Sequence, residues 1–275
     1  MIAFNGQYLP AASHGNMRIT AACLGGQLVL GNWLMTATAQ AIIAAFGAEE
    51  GIAVISRTND YLNALALTDT TRAQQLAMFI NEDPLLVTSL VETSKTRWLV
   101  GDGVAYINTG VKSHKDMYFE IDLKYDEVVT TSQFNGGFGT YSRITIGTRI
   151  QGFNIGYGSL SEDKAKNDMQ RHIAIIDGKN KKVYVDGIEY DYSSAQFNNA
   201  NTTDITLFAR SIHDSGTIDA FCKERVVYAK IDQLHLLPFT RNGENGMLDI
   251  ISGTFHPNAN TEGSFTIQIT DKTHA

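Results

Sequence analysis

Phe119-Glu120-Ile121-Asp122-Leu123-Lys124-Tyr125 alternates apolar and charged side chains without a break. A period of two sets Phe119, Ile121, Leu123 and Tyr125 on one face and the charged residues on the other, as a strand buried on one side requires. The same period recurs in Arg143-Ile144-Thr145-Ile146, His172-Ile173-Ala174-Ile175, Lys182-Val183-Tyr184-Val185 and Ser264-Phe265-Thr266-Ile267-Gln268-Ile269. Between these runs stand Asn135-Gly136-Gly137, Asp177-Gly178-Lys179-Asn180, Asp186-Gly187, Asn242-Gly243 and Ser252-Gly253, the residue types that tight turns select. Many short strands joined by turns, with no helical pattern between them, predict two packed antiparallel sheets.

Toward the N-terminus the pattern changes. Residues 1–92 hold 7 of the 24 glycines and 6 of the aromatic residues, and their apolar side chains recur at helical spacing. The chain is therefore expected to be α+β, with a mixed, mainly short-helical region over 1–96 and an antiparallel β-sandwich over 97–275. Within the first region, Phe4 to Leu30 carries short alternating pieces, Met17-Arg18-Ile19-Thr20 and Gln27-Leu28-Val29-Leu30, set off by His14-Gly15-Asn16 and Gly25-Gly26, which predict small strands and turns. Helix starts are expected where Asn32 precedes Trp33, Asn59 precedes Asp60, Asp69 precedes Thr70 and Asp83 precedes Pro84, since each side chain can accept a hydrogen bond from an orphan N–H of the first turn. Leu62 and Leu65, Leu76 with Phe79 and Ile80, and Leu86 with Leu90 give each short helix one apolar stripe. Helices of one or two turns need neighbours, so this region is expected to be the docking and oligomerisation element.

Several pieces of the second region resemble a laminin-G-like, concanavalin A-like jelly-roll family found in phage and prophage appendage and tail proteins. They are Val104-Ala105-Tyr106-Ile107-Asn108-Thr109-Gly110, Lys182-Val183-Tyr184-Val185-Asp186-Gly187, Thr206-Leu207-Phe208-Ala209-Arg210, and Ala229-Lys230-Ile231 with Leu237-Pro238. The most specific is Gly246-Met247-Leu248-Asp249-Ile250-Ile251-Ser252-Gly253-Thr254-Phe255-His256-Pro257-Asn258-Ala259, followed by Gly263-Ser264-Phe265. The resemblance implies a fold and a setting but no particular ligand, because such sandwiches bind glycans, contact proteins or decorate particles. It implies a virion structural protein whose partners are other virion proteins through the N-terminal region and a glycan or protein at the host surface, with a homo-oligomer, a trimer by analogy with phage fibres. No basic and apolar leader opens the chain, so the expected location is a particle assembled in the host cytoplasm. A bacterial cell-surface lectin and a glycan hydrolase are the alternatives.

Chemistry narrows the choice further. A formal charge of -7 leaves no broad basic footprint for nucleic acid, and Lys179, Lys181 and Lys182 fall in a hairpin turn. The most apolar run, Leu34 to Phe46, is shorter than the ~20 residues of a bilayer span, so no membrane insertion is expected. Cys23 and Cys222 are too few and too far apart for a disulfide framework or a zinc site. Glu120-Ile121-Asp122-Leu123 resembles the Glu-x-Asp run of hydrolases on this fold, yet the third carboxylate is replaced by Lys124 or Tyr125. Glu120 and Asp122 are thus expected on a solvated strand face, where amide substitution changes stability by under about 1 kcal/mol. The histidines at 14, 114, 172, 213, 235, 256 and 274 show no metal-ligand spacing, and no serine stands in a nucleophile elbow. Asn198-Asn199-Ala200-Asn201-Thr202-Thr203-Asp204 lacks the acidic spacing of a calcium loop and reads as a polar turn. Tyr157, Tyr190 and Tyr192, in or beside loops, are considered as sugar contacts and not assigned, since most aromatics in such a domain fill the core. No catalytic, cofactor or metal residue is assigned, no cofactor is expected, and the ligand contacts are left open.

Overall fold

The computed structural model describes residues 33–127, 135–140, 144–149, 152–165, 168–197, 203–212 and 217–272, and before them the backbone of six short strands. These are β1 (Ala3–Phe4), β2 (Gln7–Tyr8), β3 (Ala12–His14), β4 (Met17–Ile19), β5 (Ala22–Leu24) and β6 (Gln27–Leu30), which agree with the small strands expected there. They pair as three antiparallel hairpins, each a separate two-stranded sheet. The chain divides into two compact units, one running to Arg97 and including residues from Thr270 on, the other running from Trp98 to Ile269.

The first unit holds α1 (Thr36–Phe46), α2 (Ala48–Ala66) and α3 (Thr70–Glu82), followed by a 3-10 turn over Pro84–Ser89. Asp69 caps α3 as expected, accepting the Arg72 N–H at 2.9 Å. The other expected starts differ. Asn32 lies outside the described residues, and α1 begins at Thr36 after Met35, whose side chain cannot cap. Asn59 sits inside α2, a helix of 19 residues, where its amide donates to the Ile55 carbonyl and its oxygen accepts the Trp33 N–H. Asp83 precedes the 3-10 turn without capping it, because its carboxylate is taken by both terminal nitrogens of Arg97, a buried pair. Gly47, at φ 83, is the single residue between α1 and α2, and a Cβ on Gly51 would stand 2.7 Å from the Ile43 Cα, so the two helices pack backbone to backbone. Ile42, Val54, Leu62, Leu76, Phe79, Ile80, Leu86 and Val87 are buried. The stripes expected to need an outside cover are thus covered, and the exposed apolar residues here, among them Ile52, Leu67 and Met78, are scattered singly along the helices.

The rest is β structure. β7 (Lys95–Gly101), β8 (Ile107–Lys112) and β9 (Tyr118–Tyr125) come first, then β10 (Asn135–Thr140), β11 (Ile144–Arg149), β12 (Gly152–Tyr157) and β13 (Leu160–Ala165). β14 (Arg171–Asp177), β15 (Lys182–Val185), β16 (Ile188–Asp191), β17 (Asp204–Leu207), β18 (Arg210–Ser211) and β19 (Ile218–Asp219) follow. β20 (Glu224–Ile231), β21 (Leu234–Arg241), β22 (Glu244–Asp249), β23 (Phe255–His256) and β24 (Phe265–Asp271) complete the set. One sheet runs β13-β12-β11-β10-β17-β8, with β18 beside β10 and β19 beside β18; the other runs β16-β15-β14-β9-β20-β21-β22-β23, with β7 between β20 and β24. All neighbours with a described register are antiparallel except β10 and β18.

The fold is therefore the expected antiparallel sandwich behind a helical region. Phe119, Ile121, Leu123, Ala174, Ile176, Val183 and Val185 of one sheet and Phe138, Ile144, Ile146, Phe153, Ile155, Ile205 and Leu207 of the other form its core. Asp186-Gly187 and Asn242-Gly243 have both residues at positive φ, as two-residue hairpins demand. Asn135-Gly136-Gly137, expected as a turn, opens β10 instead, with a bulge in its pairing to β11.

Candidate functional site

The charged side of β9 is where chemistry gathers. Register places Tyr184, Ile175, Glu120, Lys230 and His235 in one row across β15, β14, β9, β20 and β21. Their chain neighbours Val183, Val185, Ala174, Ile176, Phe119, Ile121, Ala229, Ile231 and Leu236 belong to the core, so period-two geometry turns the row away from it. Four inter-strand spacings make it roughly 19 Å long. Tyr184, Ile175, Lys230 and His235 are half-buried, as are Tyr118 and Tyr228 beside them.

Glu120 is the centre of the row. One carboxylate oxygen accepts the Tyr118 hydroxyl at 2.5 Å, and the other accepts the Tyr228 hydroxyl at 2.6 Å and the Lys230 ammonium at 3.1 Å. Burial alone would raise its pKa, but these three donors and the Lys230 charge outweigh burial and hold it below the usual carboxylate range. Burial and the adjoining carboxylate push both tyrosines upward, so they stay donors. Lys230 lies 5.1 Å from the Tyr228 ring centre and the His235 ring meets Tyr228 edge-on at 6.2 Å. Two residues along, Asp122 takes a bidentate pair from Arg171 at 2.7 and 2.6 Å, and that guanidinium also lies over Trp98, 5.5 Å from the ring centre.

The solvated face expected for these carboxylates is corrected here: Glu120 is 9% exposed and Asp122 1%, because Tyr, Arg and Lys side chains of the flanking strands fold over them. The small stability change expected on amide substitution does not hold for paired, buried groups of this kind. Glu120 thus accepts from three donors, and Asp122 is committed to the Arg171 guanidinium.

The remaining candidates separate cleanly. Tyr157 and Tyr192 are 2% and 0% exposed core residues, their hydroxyls donating to the Lys115 and Ile155 carbonyls respectively. Tyr190 donates to the Lys164 carbonyl at 3.0 Å with the Lys164 ammonium over its ring. None of the three reaches the row. Lys182 pairs with Glu189 at 2.9 Å, and Lys181 donates to the Ser193 and Ala195 carbonyls. His172 is held between Asp186 at 2.7 Å and Asp168 at 3.1 Å, and His114 pairs with Asp232 at 2.8 Å. His213, His274 and residues 198–202 of the Asn-rich turn lie outside the described residues, while Asp204 pairs with Lys112. Among the described residues no group of three or more His, Cys, Asp or Glu is arranged to hold a metal, and no helix is long and apolar enough to cross a membrane.

The most specific stretch of the resemblance turns out to be structural. Asp249 accepts the N–H groups of His235, Ile251 and Ser252 and so ties the turn that follows β22. Asn258 accepts the Tyr106 N–H at 3.1 Å and donates to the Gly263 carbonyl at 2.7 Å. A Cβ on Gly263 would stand 2.3 Å from the Ala105 nitrogen, which is why glycine is needed there. The residues that sequence reading passed over are Tyr118, Tyr228, Lys230 and Arg171. The Tyr-x-Glu-x-Asp and Tyr-x-Lys spacings of β9 and β20 carried a signal, but only the register joins them.

No family model and no curated protein matches the chain. A crystal structure from Bacteroides ovatus ATCC 8483, described as a "putative carbohydrate binding protein", is similar to it with a TM-score of 0.42 and 11% identity, over 65% of this chain and 60% of that one. The chain thus spans less than two thirds of that structure's length.

Proposed function

We propose that this chain is a non-enzymatic glycan-binding component of a phage particle, using the outward row on β15, β14, β9, β20 and β21 as its platform and its N-terminal region to join other particle proteins. The observation that carries the binding reading is Glu120, held ionised between Tyr118, Tyr228 and Lys230 on a half-buried aromatic surface. Rings such as Tyr228 and His235 offer apolar faces to the C–H side of a sugar, while the tyrosine hydroxyl oxygens and the Lys230 ammonium, oriented by Glu120, offer acceptors and donors to its hydroxyl groups. The particle setting is supported by the sequence resemblance of the sandwich motifs alone.

Binding of a panel of soluble glycans, measured by calorimetry on wild type and on Tyr228→Ala, tests the platform. The expected outcome is a glycan whose affinity drops about tenfold in the variant, or about 1.4 kcal/mol, with the melting transition retained. A panel without a ligand overturns the platform, and glycan cleavage abolished by Glu120→Gln overturns the non-enzymatic reading. A mass-spectrometric search for this chain in purified particles tests the setting.

A further inference from the structure

The six strands ahead of residue 31 form three hairpins with no further strand partner among the described residues. Their construction repeats. Two residues separate Phe4 from Gln7, His14 from Met17 and Leu24 from Gln27, so the connecting pair stands at 5–6, 15–16 and 25–26, a repeat of ten residues. Asn5-Gly6, Gly15-Asn16 and Gly25-Gly26 fill these positions, the residue types that two-residue hairpin loops select. An isolated two-stranded hairpin is at best marginally stable in water, and three or more strands are needed for independent stability. Among the described residues each hairpin also has two edges without a strand partner, whose N–H and C=O groups are a template for another strand.

Composition indicates which strand that is. Exposed edges are ordinarily blunted by charge. Here Arg18 is the only Lys, Arg, Asp or Glu in the first 48 residues, in a chain that carries 22 basic and 29 acidic residues. A partner selected by charge would find almost nothing to read, whereas an uncharged edge that repeats every ten residues fits another edge with the same repeat. A second copy of this chain supplies that edge at all three hairpins at once. We propose that residues 3–30 are a self-association element, in which hairpins of neighbouring copies pair edge to edge into sheets of more than two strands within a closed, symmetric oligomer. The apolar stripes of the helices are buried within the chain, which leaves the strands and not the helices to carry the association. This inference is independent of the glycan platform, and either can fail alone.

The test uses the full chain and an Ala3→Pro/Ser13→Pro/Cys23→Pro variant, which removes one strand N–H from each of the three hairpins. Sedimentation velocity across the micromolar range gives the mass, and amide exchange of peptides covering residues 3–30 gives the pairing. Wild type is expected to be oligomeric with slowly exchanging strand amides, and both properties are expected to disappear together on dilution. The variant is expected to sediment as a single chain with fast exchange at 3–30 and an unchanged melting transition. A wild-type chain that is monomeric throughout the range overturns the proposal. A proline variant that keeps the wild-type mass also overturns it, because association would then run through another surface.

Discussion

Glu224 opens β20 directly opposite Tyr125 of β9 and faces inward, like Val226 two residues on. No nitrogen or oxygen donor of the described residues reaches either carboxyl oxygen, and the Tyr125 hydroxyl is buried without a hydrogen-bond partner as well. Burial pushes the Glu224 pKa well above the carboxylate range; the Cys222 thiol opposes this and the Asp126 charge adds to it. The linkage has a definite sign. Below the unfolded value, about 4.5, both states hold the proton and the site costs nothing in charge. As pH rises from there toward the folded value, the unfolded chain releases the proton first and stability falls, by up to ~1.4 kcal/mol per pH unit. Glu224→Gln is therefore expected to match wild type near pH 4 and to exceed it at neutral pH in denaturant titrations. A gap between the two that does not change with pH would mean that the carboxyl is ionised in the fold. The placement is legible in the alternation, since Glu224 shares parity with Val226; its lack of donors is not, because that depends on which strands flank it.

At the scale of elements, the turn after β22 depends on one side chain. Asp249 is buried and its carboxylate is held below the usual range: burial opposes this, and the Ser252 side chain with the His235, Ile251 and Ser252 N–H groups prevails. Asp249→Ala is expected to destabilise the chain by about 2–3 kcal/mol, since buried donors would lose a charged acceptor. A loss below about 0.5 kcal/mol in thermal or denaturant unfolding would show that water replaces it. The strands were the most legible elements, because a period of two survives any packing arrangement that buries one face. Helix boundaries were not: Asn59 offers the same local chemistry inside a helix as at its start, and Trp33, 26 residues away, decides which use it has. Asn135-Gly136-Gly137 misled for a related reason, since glycine serves a bulge as readily as a turn. The buried state of Glu120 and Asp122 was hidden because it depends on Arg171, Tyr228 and Lys230 from other strands.

For the molecule as a whole, the strand that opens the β structure pairs with the one that closes it. β7 lies beside β24, Lys95 meets Asp271 at 3.0 Å, and Lys272 donates to the Ser94 carbonyl. A separable sandwich is therefore expected to be more stable with the residues just before Trp98 than without them. A fragment beginning at Thr93 is expected to fold as a β-rich domain, and one beginning at Trp98 to lose about 2 kcal/mol and melt about 4–8 °C lower, as followed by circular dichroism. Equal melting of the two would show that the extra residues contribute nothing. The same pairing sets a timetable for synthesis. Lys95 and Asp271 are 176 residues apart, which at ordinary rates of translation is on the order of ten to thirty-five seconds. Throughout that interval β7 has emerged and β24 has not, so the large sheet cannot close as the chain leaves the ribosome and must wait for its final strand.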